Sequence, residues 1–259
     1  MNSRNMLSYI SADEYERDKE RNPIIFIPVG AMEWHDSHLP IGFDYLKAVE
    51  LCKLIAERTG GLIAPPIEFG YAFNFTKDPK KKVGTFCPDF ESLEKYIFSI
   101  GKSFIEAGFK VLYYLSGHYE RIQIYMLKTI ARRLEHFALD LSMNCKVIVH
   151  HEPDYTIRKG ISMNAKEDYV RSELGLEYMN GDHAGFYETS LGLYLFPELV
   201  SQPLIKPQYH DNARGGAPSA EWGKKWVDMI IEKASYEIEE ALQGKDISPI
   251  EPAGEKLHR

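Results

Sequence analysis

Two carboxylate–imidazole pairs carry the chemistry this chain advertises: Glu33 with His35, and His118 with Glu120. Each pair skips one residue, and in extended backbone residues i and i+2 project to the same side. Each also lies just past an apolar run that ends in a turn. Ile24–Val29 runs into Gly30, and Lys110–Leu115 into Ser116-Gly117. Ligands of open α/β sheets bind in the crevice beyond the carboxyl ends of the strands, so both pairs emerge where a site is expected. Asp44 follows at the start of a helical pattern, where it either caps that helix or reaches back to the same crevice. Mixed imidazole and carboxylate donors are what Zn²⁺ or Mn²⁺ hydrolytic sites use. By residue type alone, a metal site and a set of structural or surface side chains both remain open.

The elements that must position these residues are legible as alternating periods. Lys146–Val149 is a third apolar run, ending at His150-His151, and Leu62–Ala64 before Pro65-Pro66 is a weaker fourth. Short continuous apolar runs bounded by turn residues read as buried strands of a largely parallel sheet. Between them, apolar residues recur at helical spacing over Tyr45–Arg58, Phe90–Ala107, Ile122–Leu141 and Ala220–Leu242. The alternation predicts an α/β fold, a three-layer α/β/α arrangement around a mostly parallel sheet. We read residues 1–243 as a single domain and 244–259 as a polar C-terminal tail. The stretch 153–182 has no clean period and reads as excursions over one face, whereas 203–218, rich in Pro, Gly and Asn, reads as a long loop.

Composition narrows the function classes. The 259 residues are 44% hydrophobic and 27% charged, the balance of a globular protein, with a formal charge of −7. An acidic surface argues against nucleic acid and anionic membranes as partners and leaves a small molecule. No apolar stretch reaches the roughly 18 residues that would read as a membrane span. Cys52, Cys87 and Cys145 form no CxxC pair and suggest neither a disulfide framework nor a thiolate metal site. A cytoplasmic location is the expectation.

Four ordered stretches resemble signatures of the creatininase (creatinine amidohydrolase) family. Val29-Gly30-Ala31-Met32-Glu33-Trp34-His35, with His38-Leu39-Pro40 and Asp44, is similar to the first. Gly84-Thr85 matches a Gly-Thr turn, with Cys87 near where the family usually has Ser. Ser116-Gly117-His118-Tyr119-Glu120 resembles an Asn-Gly-His-x-Glu motif, and Asp182 to Ser190 (DHAGFYETS) the fourth signature. The resemblance implies two divalent ions, Zn and/or Mn. Glu33, Asp44 and His118 would hold one, and His35, Asp44 and Glu120 the other, with Asp44 and a water bridging them. Such ions sit about 3.5–4 Å apart. It further implies His183 as proton shuttle or orienting imidazole, Glu188 orienting it or ordering the metal-bound water, Glu120 among the catalytic groups, and a homo-oligomer, hexameric in the family.

Further residues are weighed beside these. Tyr119, His150 and His151 are candidates to line the substrate pocket, and His38 reads as a contact behind the ligands. Lys77, Lys80, Lys81 and Lys82 read as a solvated loop. Creatininase flanks its flat substrate with two tryptophans, and the matching positions here are Met179 and Pro153. Neither offers an aromatic face, so creatinine is not the expected substrate. The expected activity is metal-dependent hydrolysis of a C–N bond in a small amide, linear or cyclic. Hydrolytic C–C opening of a cyclic ketone such as an inosose derivative is the alternative, and a non-catalytic binder on the same scaffold a second.

Overall fold

The computed structural model describes residues 5–72, 84–156, 183–207 and 216–245. They fall into two compact units. The first comprises residues 5–34, 41–72, 84–151 and 234–245; the second comprises 35–40, 152–156, 183–207 and 216–233.

The first unit contains a four-stranded parallel sheet. Its strands are β1 (Ile24–Val29), β2 (Leu62–Ile63), β3 (Val111–Ser116) and β4 (Lys146–His151), in spatial order β2-β1-β3-β4. Every residue of β1 and β3 is buried, which is why their sequences read as continuous apolar runs rather than alternations. All four expected strands are present. β4 continues through His150 and His151, because they pair with Leu115 and Ser116 of β3; polar side chains hid that continuation. The register brings Val29, Ser116 and His151 into one row, so the three chain exits leave the sheet along a common edge.

Helices α1 (Ala12–Arg21), α2 (Phe43–Thr59), α3 (Phe90–Glu106) and α4 (Arg121–Asp140) complete the unit with residues 234–242 of α7 (Ala220–Leu242). Ile25, Ile27 and Val29 of β1 join Leu112 and Tyr114 of β3 against Leu93, Ile97, Met126, Ile130 and Leu134 of α3 and α4. The alternate residues Phe26 and Tyr113, their rings 5.5 Å apart, lie on the opposite face, where α2 packs on β1 and β3. Helices on both faces give the expected three layers. No apolar period announces α1. A capping box supplies its start, Ser11 accepting from Glu14 N–H while Glu14 accepts from Ser11 N–H.

The second unit holds α5 (Pro153–Thr156), α6 (Phe186–Leu195) and residues 220–233 of α7. α6 buries every residue from Phe186 to Gly192. Phe186 and Tyr187 pack on Trp226, which stacks on Trp222 at 5.7 Å. Among the described residues no helix is long and apolar enough to cross a membrane. Met179, Lys77 to Lys82, most of 153–182, residues 208–215 of the 203–218 loop and nearly all of the tail lie outside the described residues.

Candidate metal centre

The first unit brings Glu33, Asp44 and His118 together. His118 Nδ1 lies 2.9 Å from Asp44 Oδ2 and 3.1 Å from Glu33 Oε2. Those separations approach the ~3.3 Å edge of a tetrahedron with bonds of about 2.0–2.1 Å. One nitrogen and two carboxylate oxygens form a donor set that suits zinc or manganese. Asp44 and His118 are buried and Glu33 is partly exposed.

Tight backbone contacts fix this convergence. Gly30 ends β1 so close to α2 that a Cβ there would lie 2.3 Å from the Tyr45 backbone, and a Cβ on Gly117 would lie 2.1 Å from the Asp44 carbonyl oxygen. Two glycines thus let the start of α2 press against the exits of β1 and β3. The helix begins at Phe43, earlier than the apolar period suggested, with Gly42 as N-cap and no side-chain cap. Asp44 therefore does not cap α2; its Oδ2 faces His118.

Gln123, on the apolar face of α4 and fully buried, ties the turn together. Its amide NH₂ donates to Ser116 Oγ at 3.0 Å and Gly30 C=O at 3.4 Å, and its oxygen accepts from Tyr71 N–H at 2.7 Å. Ser116 O–H in turn donates to His118 C=O at 2.7 Å. Sequence reading missed Gln123. The signal available was a polar residue in register with Met126, Leu127 and Ile130.

Burial works against a charge on His118, but Asp44 and Glu33 outweigh it and hold the imidazole pKa up to about 10 in the metal-free protein. A metal at this position must displace that proton.

The remaining candidates of this unit make other contacts. Glu120 is the N-cap of α4, its carboxylate accepting from Ile122 N–H at 3.2 Å, and no ligand grouping among the described residues includes it. The Tyr119 ring meets His151 edge-on at 5.9 Å and its hydroxyl accepts from Lys47 at 2.8 Å. His150 Nε2 lies 3.0 Å from a carboxylate oxygen of Glu237 on α7.

In the second unit, His35 Nε2 lies 3.7 Å from Glu188 Oε2, both side chains buried. The His183 ring is exposed, its centroid 4.6 Å from that of His35. Glu188 also accepts from Ala184 N–H at 2.7 Å, holding the residue after His183 at a φ of 53°. His38 Nε2 contacts Thr189 Oγ1 at 2.8 Å, and Thr189 donates to Ala184 C=O. The hydroxyl proton is thereby committed, so His38 Nε2–H is the donor. Burial lowers the His38 pKa, which favours its neutral form. Asp36, at a φ of 56°, accepts from Lys206 at 2.8 Å and pins the segment that carries His35 and His38.

With fold and geometry established, comparison with known proteins identifies the class. The profile of the creatininase family, described as creatinine amidohydrolase, matches residues 8–238. The chain belongs to the creatininase family of hydrolases. Creatinine amidohydrolase of Pseudomonas putida is 28% identical over 249 residues, covering 89% of this chain and 90% of that protein. The 3-dehydro-scyllo-inosose hydrolase of Thermotoga maritima is 26% identical over 181 residues, 69% of this chain; the match spans 52% of that relative's length. A manganese creatininase shares the fold with a TM-score of 0.71 at 23% identity, covering 91% of this chain and 98% of that one. A variant creatininase of Zn-Zn type scores 0.70.

Proposed function

We propose that this chain is a two-metal hydrolase acting on a C–N bond of a small amide, linear or cyclic, other than creatinine. The observation that supports it best is the convergence of Glu33, Asp44 and His118 at the carboxyl edge of the sheet. In this reading these three residues hold one divalent ion of the zinc or manganese type. His35, Asp44 and Glu120 are the set the motifs suggest for a second, and Glu120 can keep Ile122 N–H on one carboxylate oxygen while offering the other. When bound, such ions polarise the scissile carbonyl and lower the pKa of a bound water. The protein's own groups do the rest. His183, exposed beside His35, delivers a proton to the leaving nitrogen. Glu188 holds its loop through Ala184 N–H, and Tyr119, His150 and His151 line the substrate side. Pro153 offers no aromatic face for a flat ring. We further propose a homo-oligomer, a hexamer, which sedimentation as a monomer would refute.

The inosose hydrolase relative supports a second reading, C–C ring opening of a cyclic ketone. The two are separated by assaying metal-depleted protein, reloaded with Zn²⁺ or Mn²⁺, against lactams, formamides and inososes. Release of an amine supports the first reading. A ring-opened acid from an inosose, without amide turnover, replaces it with the second. Inactivity on all three classes with either ion counts against both.

A further inference from the structure

Helix α2 buries a cation on its core face. Asp44, Lys47, Ala48, Leu51, Cys52 and Ile55 recur at helical spacing and are all buried, Lys47 completely. Lysine is almost never fully buried unless paired, and methionine would fill the same volume at no electrostatic cost. The ammonium has partners of a particular kind. It donates to Tyr119 Oη at 2.8 Å and lies 3.7 Å from Asp44 Oδ1, and it sits 5.0 Å from the centre of the Phe43 ring. Asp44 is thereby divided: Oδ1 is on the Lys47 side, while Oδ2 lies 2.9 Å from His118 Nδ1.

We propose that Lys47 is a positioning residue of the metal centre, one that orients Asp44 and Tyr119 and weakens the hold of the carboxylates on the cation. The proposal rests on the reading of Glu33, Asp44 and His118 as a cation site. Fixing Oδ1 on the ammonium side presents Oδ2 to the ion. Accepting from Lys47 turns the Tyr119 proton away from the ammonium, so the phenol donates in a set direction. The third consequence is electrostatic and decides the test. A positive charge 3.7 Å from the Asp44 carboxylate offsets one unit of negative charge in the group that must attract a divalent ion. At the effective dielectric of a protein interior, a unit charge at this range changes affinity by about tenfold or more. A group acting behind the ligands in this way tunes an ion it does not touch.

The experiment titrates metal-depleted wild type, Lys47→Met and Lys47→Gln with Mn²⁺ by calorimetry, with folding verified by circular dichroism. Glutamine keeps a donor within reach of Tyr119 but not the charge, so it serves if the methionine variant fails to fold. The expected result is Mn²⁺ bound at least tenfold more tightly by the neutral variants, at unchanged stoichiometry. A merely structural role predicts the reverse, since a disordered Asp44 binds metal less well. Affinity equal to or below wild type in a folded neutral variant overturns the proposal. Absence of Mn²⁺ binding by wild type itself overturns the cation-site reading, and the proposal with it.

Discussion

Gly117→Ala should disable the metal centre without altering any ligand. A Cβ at this position would lie 2.1 Å from the Asp44 carbonyl oxygen and 3.0 Å from its carbon, where real Cβ contacts stay beyond 3.0 Å. The obstruction is backbone, so it cannot rotate away, and the start of α2 must retreat by about 1 Å. Gly117 is absent from the glycines with positive φ, so the penalty is contact alone. Overpacking of this kind costs about 1–3 kcal/mol of stability. The functional cost is larger, because Asp44 moves with its backbone while His118, one residue from the substitution, stays with β3. Displacing what orients a ligand typically costs about 10–100-fold in metal affinity. Melts and Mn²⁺ calorimetry on the variant read both effects. Gly108→Ala is the control: its φ is 92° and a Cβ there would meet nothing within 4 Å, so it should lose about 1–2 kcal/mol and no metal affinity. A folded Gly117→Ala protein that binds Mn²⁺ as wild type does refutes the claim that this close approach sets the site.

Three further outcomes are expected. Gln123→Leu should lower stability by about 2–4 kcal/mol, because it strands Tyr71 N–H and loosens Ser116; denaturant unfolding checks this, and a loss under about 1 kcal/mol would deny Gln123 its tying role. His118 carries a raised pKa of about 10 in metal-free protein, so the stability it contributes is full below its ordinary 6.5 and is lost as pH rises through 10. The melting temperature of the metal-free protein should therefore fall between about pH 7 and pH 10, and His118→Gln should flatten that slope; an unchanged slope in the variant assigns the effect elsewhere. His183→Ala should reduce kcat by about 10²–10⁴ with metal content intact, whereas Asp44→Ala should lose metal; metal analysis showing depletion in the His183 variant would make His183 a ligand.

The fold was readable because its strands are buried on both faces and its principal helices carry strong apolar periods. The exceptions have physical causes. α1 is held by a capping box and one aromatic contact, Tyr15 on Phe109 at 6.3 Å, so no stripe marks it. β4 hides its last two residues because His150 and His151 are polar yet paired in the ladder. Of the candidate ligands, spacing could mark Glu33 and His118 at strand exits. It could not decide whether Asp44 caps α2 or faces the crevice, since that depends on how closely Gly30 and Gly117 admit the helix. Nor could it show that the Glu120 carboxylate caps α4. Lys47 and Gln123 were legible in principle as polar residues in register with apolar faces. A charge three residues after an aspartate at a helix start, however, ordinarily reads as a surface pair.

We propose that Glu33, Asp44 and His118 hold a divalent ion on which hydrolysis depends. Elemental analysis of the purified protein, before and after chelation, tests it most directly when run beside Asp44→Ala. We expect about two zinc or manganese ions per chain, their loss with a drop in melting temperature on chelation, and none in the Asp44 variant. A content near zero in protein never exposed to chelator, with a melting temperature that chelator leaves unmoved, would contradict it.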